Sequence, residues 1–129
     1  MLYTKTRNFH WNGTGFHFSA MHKFFQDQYE QLDTIVDDTA ERSRALGGRA
    51  LGSMKEFLAK ARLVESPAAS LKEEAMVAEL LADHEALVRS LRKDVEEAAR
   101  LGDQGTADFL TGLMQAHEKM AWMLRSFLN

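Results

Sequence analysis

Apolar residues recur at a helical period along almost the whole chain, and the punctuation between them is sparse. There is one proline, Pro67, and the glycines gather at positions 13 and 15, 47, 48 and 52, 102 and 105, and 112. Residues 1 to 12 predict a short helix, ended by Asn12-Gly13-Thr14-Gly15. Residues 16 to 46 predict a long one with Phe18, Met21, Phe25, Leu32, Val36 and Thr39 on its apolar stripe, stopped by Gly47-Gly48 as a C-cap. A small helix, "SMKEFLAKA", crosses the middle. "SLKE", residues 70 to 73, has the form of a capping box, with Ser70 as N-cap and Glu73 at the third helical position. The helix it opens carries Val77, Leu80, Leu87, Leu91 and Val95 and runs to Arg100. After "LGDQG", Thr106 starts a last helix with Leu110, Leu113, Ala121, Leu124 and Leu128. No strand alternation, internal repeat or low-complexity tract interrupts this pattern. The expectation is an all-α chain: one domain over residues 1–129, built as a four-helix bundle with the short extra helix in the crossover between the second and third main helices.

Composition narrows the chemistry. The formal net charge of −3 gives no broad case for nucleic acid, whose phosphates want a basic face. No apolar run approaches the roughly 20 residues that cross a bilayer, and "MLYTKTRNFHW" is too polar for the core of a signal peptide, so a cytoplasmic location is expected. Cysteine is absent. Disulfides and thiolate ligands are thereby excluded, and any metal must use imidazole and carboxylate.

Several candidate groups have a bland reading that is the better one. His84 and His117 fall on the apolar stripes of their helices and read as core or interface histidines with their hydrogen bonds satisfied. His17 sits in a turn, and Met114, Met120 and Met123 read as core. The Glu-x-x-His spacing of di-iron bundles does not occur, nor does His-Glu-x-x-His, although His84-Glu85 and His117-Glu118 each begin that way. A metal centre inside one bundle is not expected.

The stretch from His10 to Arg42 is different. At about 100° per residue, Met21, Tyr29, Leu32 and Val36 fall within roughly 40° of Phe25, whereas His22, Gln26, Asp33, Asp37 and Glu41 occupy one flank, roughly 60° to 160° away. Such a flank is either a solvated acidic face or a set of ligands. With a rise of about 1.5 Å per residue, His22 and Asp37 lie about 22 Å apart along the axis, so no single ion takes both from one helix. Asp37 and Glu41, four apart, can share an ion, and a tight turn would fold His10 back beside His22. Two antiparallel copies of the helix about a twofold axis near residues 30 and 31 would set His22 of one chain opposite Asp37 and Glu41 of the other, giving two equal sites per dimer.

"KTRNFHWNGTGFHFSAMH" followed by "LDTIVDDTAERSRALGG" resembles the Dps proteins, the miniferritins that protect DNA in starved bacteria. That family opens its motif with His-Trp-Asn and places a second histidine twelve residues on. From that second histidine an acid follows at four residues, an aspartate at fifteen and a glutamate, in Ala-Glu-Arg, at nineteen. His10, His22, Asp37 and Glu41 match those spacings, and "HEKMAWMLRSFL" with Trp122 is similar to the family's last helix. The resemblance implies a ferritin-like fold and a dodecameric shell with the short helix at its twofold interfaces. It also implies ferroxidase sites there, where Fe(II) is oxidised, usually by hydrogen peroxide rather than dioxygen, and stored as ferric mineral. Zinc is a possible competitor for the same ligands. For Trp11, beside His10, the resemblance leaves two roles: packing against the site, or intercepting radicals.

The chain departs from the family in three places. Gln26 stands where the family has its acid, removing one negative charge while keeping an amide oxygen as a weak ligand; neighbouring Asp27 points about 100° away. Lys23 stands where many members have a glutamate that aids mineral nucleation. The family's first helix begins several turns before Met1, its DNA-binding members often carry a lysine-rich tail, and no basic tail follows Asn129, so little or no DNA binding is expected of this chain. Asp108, in "TADFL", matches an acid of the family's threefold iron-entry pore, and Asp103 is a second candidate; Asp108 has a rival role as a first-turn helix acid. Two function classes remain: an iron-oxidising, iron-storing shell, or a structural or nucleoid-associated relative whose site has decayed at Gln26.

Overall fold

The structure, a computed structural model, describes residues 1–66 and 72–128. Among them are five α-helices and no strand: α1 Leu2–Asn12, α2 Phe18–Ala45, α3 Met54–Lys60, α4 Glu73–Arg100 and α5 Gln104–Arg125. None is long and apolar enough to cross a membrane.

The ends of α2 and α4 show why the chain turns where it does. After Leu46, Gly47 takes a φ of 83°, and Gly47 N–H donates to Arg44 O (3.0 Å) and Gly48 N–H to Ser43 O (2.9 Å). The pattern recurs after Leu101: Gly102, at φ 76°, donates to Ala99 O, and Asp103 N–H to Ala98 O. Both are Schellman closures, in which a glycine without a Cβ takes the left-handed conformation and satisfies the last carbonyls.

The first unit, Met1–Glu73, packs α1 on α2. Leu2 and Phe9 of α1 and Met21, Phe24, Phe25 and Leu32 of α2 are buried, and the rings of Phe9 and Phe25 stand 6.2 Å apart. Burial along α2 ends at Leu32, and Val36, 53% exposed, and Thr39 lie open. The apolar stripe expected to continue through them is therefore uncovered by its own chain. α3 buries none of its residues: Met54, Phe57 and Leu58 are all exposed. Its capping box is Ser53 and Glu56, with Glu56 N–H donating to Ser53 Oγ and Ser53 N–H to Glu56 Oε2. The box expected at Ser70 lies outside the described residues, and Glu73, its other half, is the first residue of α4.

The second unit, Glu74–Asn129, pairs α4 with α5. Met76, Val77, Leu80, Val88, Met120, Ala121 and Leu124 are buried, and Arg125–Glu85 and Arg92–Glu118 ion pairs join the two helices. The last helix starts at Gln104, two residues before the expected Thr106, because Asp103 is its N-cap: the carboxylate accepts from Thr106 N–H at 2.9 Å and from the Thr106 hydroxyl at 2.6 Å. Leu128, expected on the apolar stripe, lies past the helix and exposed.

Candidate metal centre

The turn Gly13–His17 returns the chain so that the imidazoles of His10, near the end of α1, and His22, in the first turns of α2, stack with ring centres 3.7 Å apart. Each ring is fixed by the other residue's backbone. His10 Nδ1 donates to His22 O and His22 Nδ1 donates to His10 O, both at 2.8 Å. A carbonyl oxygen only accepts, so Nδ1 carries a proton in both rings, and a neutral imidazole held this way keeps its lone pair on Nε2. This is the arrangement that prepares histidine as a metal ligand, with one nitrogen held by a carbonyl and the other left as donor. His10 is buried and His22 half-buried.

Aromatic rings wall the pair. Tyr29 meets His10 edge-on at 5.2 Å, and Phe18 meets His22 at 5.1 Å. The Arg7 guanidinium lies 5.0 Å from the centre of the Trp11 ring and 4.9 Å from that of Tyr29, and it donates to the Tyr3 hydroxyl at 2.6 Å. Trp11 itself is 62% exposed. Its indole packs on Arg7 by a cation–π contact.

The carboxylates lie elsewhere. Asp37 and Glu41 are exposed on the second half of α2, together with Asp33 and Asp38. Among the described residues no group of three or more His, Asp or Glu side chains gathers tightly enough to hold a metal ion. One chain thus brings His10 and His22 together and leaves Asp37 and Glu41 apart from them. Gln26 is half-buried one turn beyond His22, and its amide donates to Glu30 Oε1 at 2.7 Å. That partner, Glu30, is one that spacing from the histidines did not single out. Lys23 pairs with Asp27 on the exposed face, an ion pair that raises the lysine's pKa and takes Asp27 away from Gln26.

A second carboxylate, also unforeseen, reaches the histidines from the far end of the unit. Glu73 lines a small cavity with Phe9, His10, Gly13 and His22, and its Oε2 lies 3.3 Å from His17 Nδ1. Nothing in the local sequence around Glu73 signals this, since it is 51 positions beyond His22.

The remaining histidines lie between α4 and α5. His84 and His117 are buried and share a hydrogen bond between their Nδ1 atoms, 2.9 Å apart. Burial first, and the neighbouring His117 second, hold His84 down to about 3; burial holds His117 down to about 4. They are neutral core groups at any ordinary pH, although the expectation of full satisfaction fails at His84 Nε2, which is buried with no hydrogen-bond partner among the described residues. On α5, Asp103 is occupied as the helix cap, and Asp108 is exposed. Asp108 is the fifth residue of the helix, so its rival role as a first-turn acid does not hold.

The ferritin-like domain family matches residues 1–129. The chain is 46% identical over 130 residues to an uncharacterised low-temperature-induced protein of Nostoc sp., covering all of this chain and 73% of that one. It is 39% identical to DNA protection during starvation protein 2 of Bacillus anthracis, covering all of this chain and 88% of that one. The solved structure of Dps from Thermosynechococcus elongatus superposes with a TM-score of 0.95 at 33% identity, over 99% of this chain and 81% of that one. Dps from Staphylococcus aureus gives the same score and identity, over 99% and 85%. The fold is the ferritin-like four-helix bundle with α3 as its short extra helix, and the chain belongs to the Dps branch of the ferritin-like family.

Proposed function

We propose that this protein oxidises and stores iron. Fe(II), the substrate, binds at sites shared by two chains and is oxidised there, by hydrogen peroxide in preference to dioxygen. It is then kept as ferric mineral inside a shell of twelve chains in the bacterial cytoplasm, residues 1–129 acting as one domain. Two Fe(II) ions give up one electron each, the O–O bond of one peroxide breaks, and the reduced oxygens leave as hydroxide or water. Both reagents of hydroxyl-radical chemistry are consumed together. Membership of the ferritin-like family supports iron storage and protection against oxidative stress as the general function.

The observation that carries the reading is the His10–His22 pair, two imidazoles held as Nδ1–H tautomers with their Nε2 lone pairs kept for a ligand. Its complement is the separation of Asp37 and Glu41 from that pair on an exposed stretch of the same helix, which suits a site completed by Asp37 and Glu41 of the partner subunit. Imidazole and carboxylate hold Fe(II), and the hard oxygens favour the ferric product. They also accept Zn(II), which is expected to compete. Gln26 supplies a neutral oxygen at most, so this member's oxidation is attenuated.

A second reading, a structural or nucleoid-associated relative with a decayed site, draws on the Gln26–Glu30 hydrogen bond, which occupies the position of the missing acid with a contact inside the helix. Anaerobic titration with Fe(II), followed by peroxide, separates the two. Saturable binding and a ferric product that both vanish in His22→Ala and in Asp37→Ala support oxidation at the shared site. Binding and assembly indifferent to both substitutions support the structural reading.

A further inference from the structure

The turn between α1 and α2 sets how His10 meets His22, and a residue from the start of α4 holds that turn. We propose that Glu73 is a positioning residue for the His10–His22 pair: its carboxylate braces the Gly13–His17 turn and fixes the approach of α1 to α2. The inference rests on the metal reading of that pair.

The contact is close on both sides of the carboxylate. Gly15 has a φ of 140°, and a Cβ placed on it would lie 2.5 Å from Glu73 Oε1 and 2.9 Å from Cδ. Glycine is therefore required twice, for its backbone conformation and because the carboxyl group occupies the space of a side chain. On the other side, Oε2 reaches Nδ1 of His17, the N-cap residue of α2. Oε1 is buried and takes no hydrogen bond from any described residue, and it borders a cavity of about 10 Å³, room for a single water, whose wall includes His10, His22 and Gly13.

A helix-dipole account, in which Glu73 serves only the first turn of α4, explains neither the tight fit on Gly15 nor the shared cavity. It predicts a lower melting temperature on substitution and an unchanged metal affinity. A brace for ligands predicts a changed affinity as well, because groups that orient metal-binding histidines typically change affinity 10–100-fold.

Co(II), titrated calorimetrically into the full chain under argon and without peroxide so that it stays divalent, is the probe. His22→Ala is expected to abolish binding. Glu73→Ala is expected to weaken it by about 10–100-fold with helicity and oligomeric state unchanged, and Glu73→Gln, which keeps the shape and an acceptor oxygen, to restore most of it. Gly15→Ala should also weaken binding, and by less in a Glu73→Ala background, where its new Cβ meets no carboxyl. Wild-type affinity in Glu73→Ala, alongside loss in His22→Ala, overturns the positioning role and leaves the metal reading standing. Wild-type affinity in His22→Ala overturns the metal reading itself. If Glu73→Ala fails to fold, Gly15→Ala decides: retained affinity in a native-like Gly15→Ala overturns the brace, and lost affinity supports it.

Discussion

His10 and His22 are bound to each other through side chain and backbone, each Nδ1 donating to the other residue's carbonyl at 2.8 Å. Because both acceptors are main-chain atoms, replacing either side chain leaves the other with its own acceptor in place. His22→Ala removes one proposed ligand and one hydrogen bond, and His10 keeps its bond to the carbonyl of position 22. Substitutions at this pair are therefore informative about metal binding without collapsing the turn.

That independence allows a subunit-mixing experiment. If the site is shared between chains as proposed, His22→Ala kills one half of each site, and Asp37→Ala with Glu41→Ala kills the other. In an interface holding one chain of each kind, one site is dead on both sides and the other is wholly intact. Random co-assembly should thus restore about a quarter of the wild-type sites, since half the interfaces are mixed and each recovers one of two. The readout is peroxide-driven ferric absorbance. Mixed shells as inactive as their parents, with wild-type controls reassembling, would mean that the site lies within one chain.

α3 offers a separate test of assembly. Its Met54, Phe57 and Leu58 are exposed and the helix buries none of its residues, yet a complete capping box holds it. Fully covering a large apolar side chain stabilises an interface by roughly 1.5–3 kcal/mol, so Leu58→Asp together with Phe57→Asp should shift the oligomer towards small species. Light scattering checks this, and an oligomeric state unchanged in the variant would place α3 outside every interface.

The helices were legible because two signals agree on them: a 3.6-residue apolar period and a glycine that must take positive φ, as at Gly47 and Gly102. Val36 lies on that apolar stripe and is nevertheless exposed, for a physical reason. Periodicity reports that a residue shares a face with Phe25, and it says nothing about whether the same chain covers that face. Asp103 was passed over as a cap because the apolar pattern of α5 begins beyond it, whereas its carboxylate closes the first turn. The turn that joins His10 to His22 is local in sequence and was foreseeable. Glu73 was not, because its contact with Gly15 spans 58 positions and the only trace of it is a glycine in a loop.

The core histidines predict how stability responds to acid. In the native state His84 is held down to about 3 and His117 to about 4, against about 6.5 in the unfolded chain. Below pH ~6.5 the unfolded chain binds protons that the native core refuses, so the stabilisation is whole above that pH and is lost progressively as pH falls towards the native values. Each histidine contributes a slope of up to about 1.4 kcal/mol per pH unit. Replacing both with leucine, which removes the paired nitrogens together, should flatten the fall between pH 6.5 and 4.5. Thermal melts of the two proteins across that range test it; parallel curves would show that other groups carry the acid sensitivity.

Gln26 is where this chain departs most from its family's chemistry, and its structural setting gives Gln26→Asp two opposing effects. The amide now donates to Glu30 one turn on. An aspartate loses that donor and sets two carboxylates four residues apart, which destabilises an exposed helix by about 0.2–0.5 kcal/mol. Against this, in the proposed site two ferrous ions would bring four positive charges to Asp37 and Glu41, which supply two negative ones. A third carboxylate about 4 Å from a cation gains a few kcal/mol by Coulomb attraction, much of it lost in dehydrating the acid. A net gain near 1.4 kcal/mol, about tenfold in affinity, is expected. The apo variant should therefore melt slightly lower than the natural protein, bind Fe(II) about tenfold more tightly and oxidise it faster at low iron, with assembly unchanged. Ferrous binding isotherms under argon, run beside apo-protein melts, separate the two terms. A lower melt with equal or weaker binding would mean that position 26 serves the helix through Glu30 and does not face the metal.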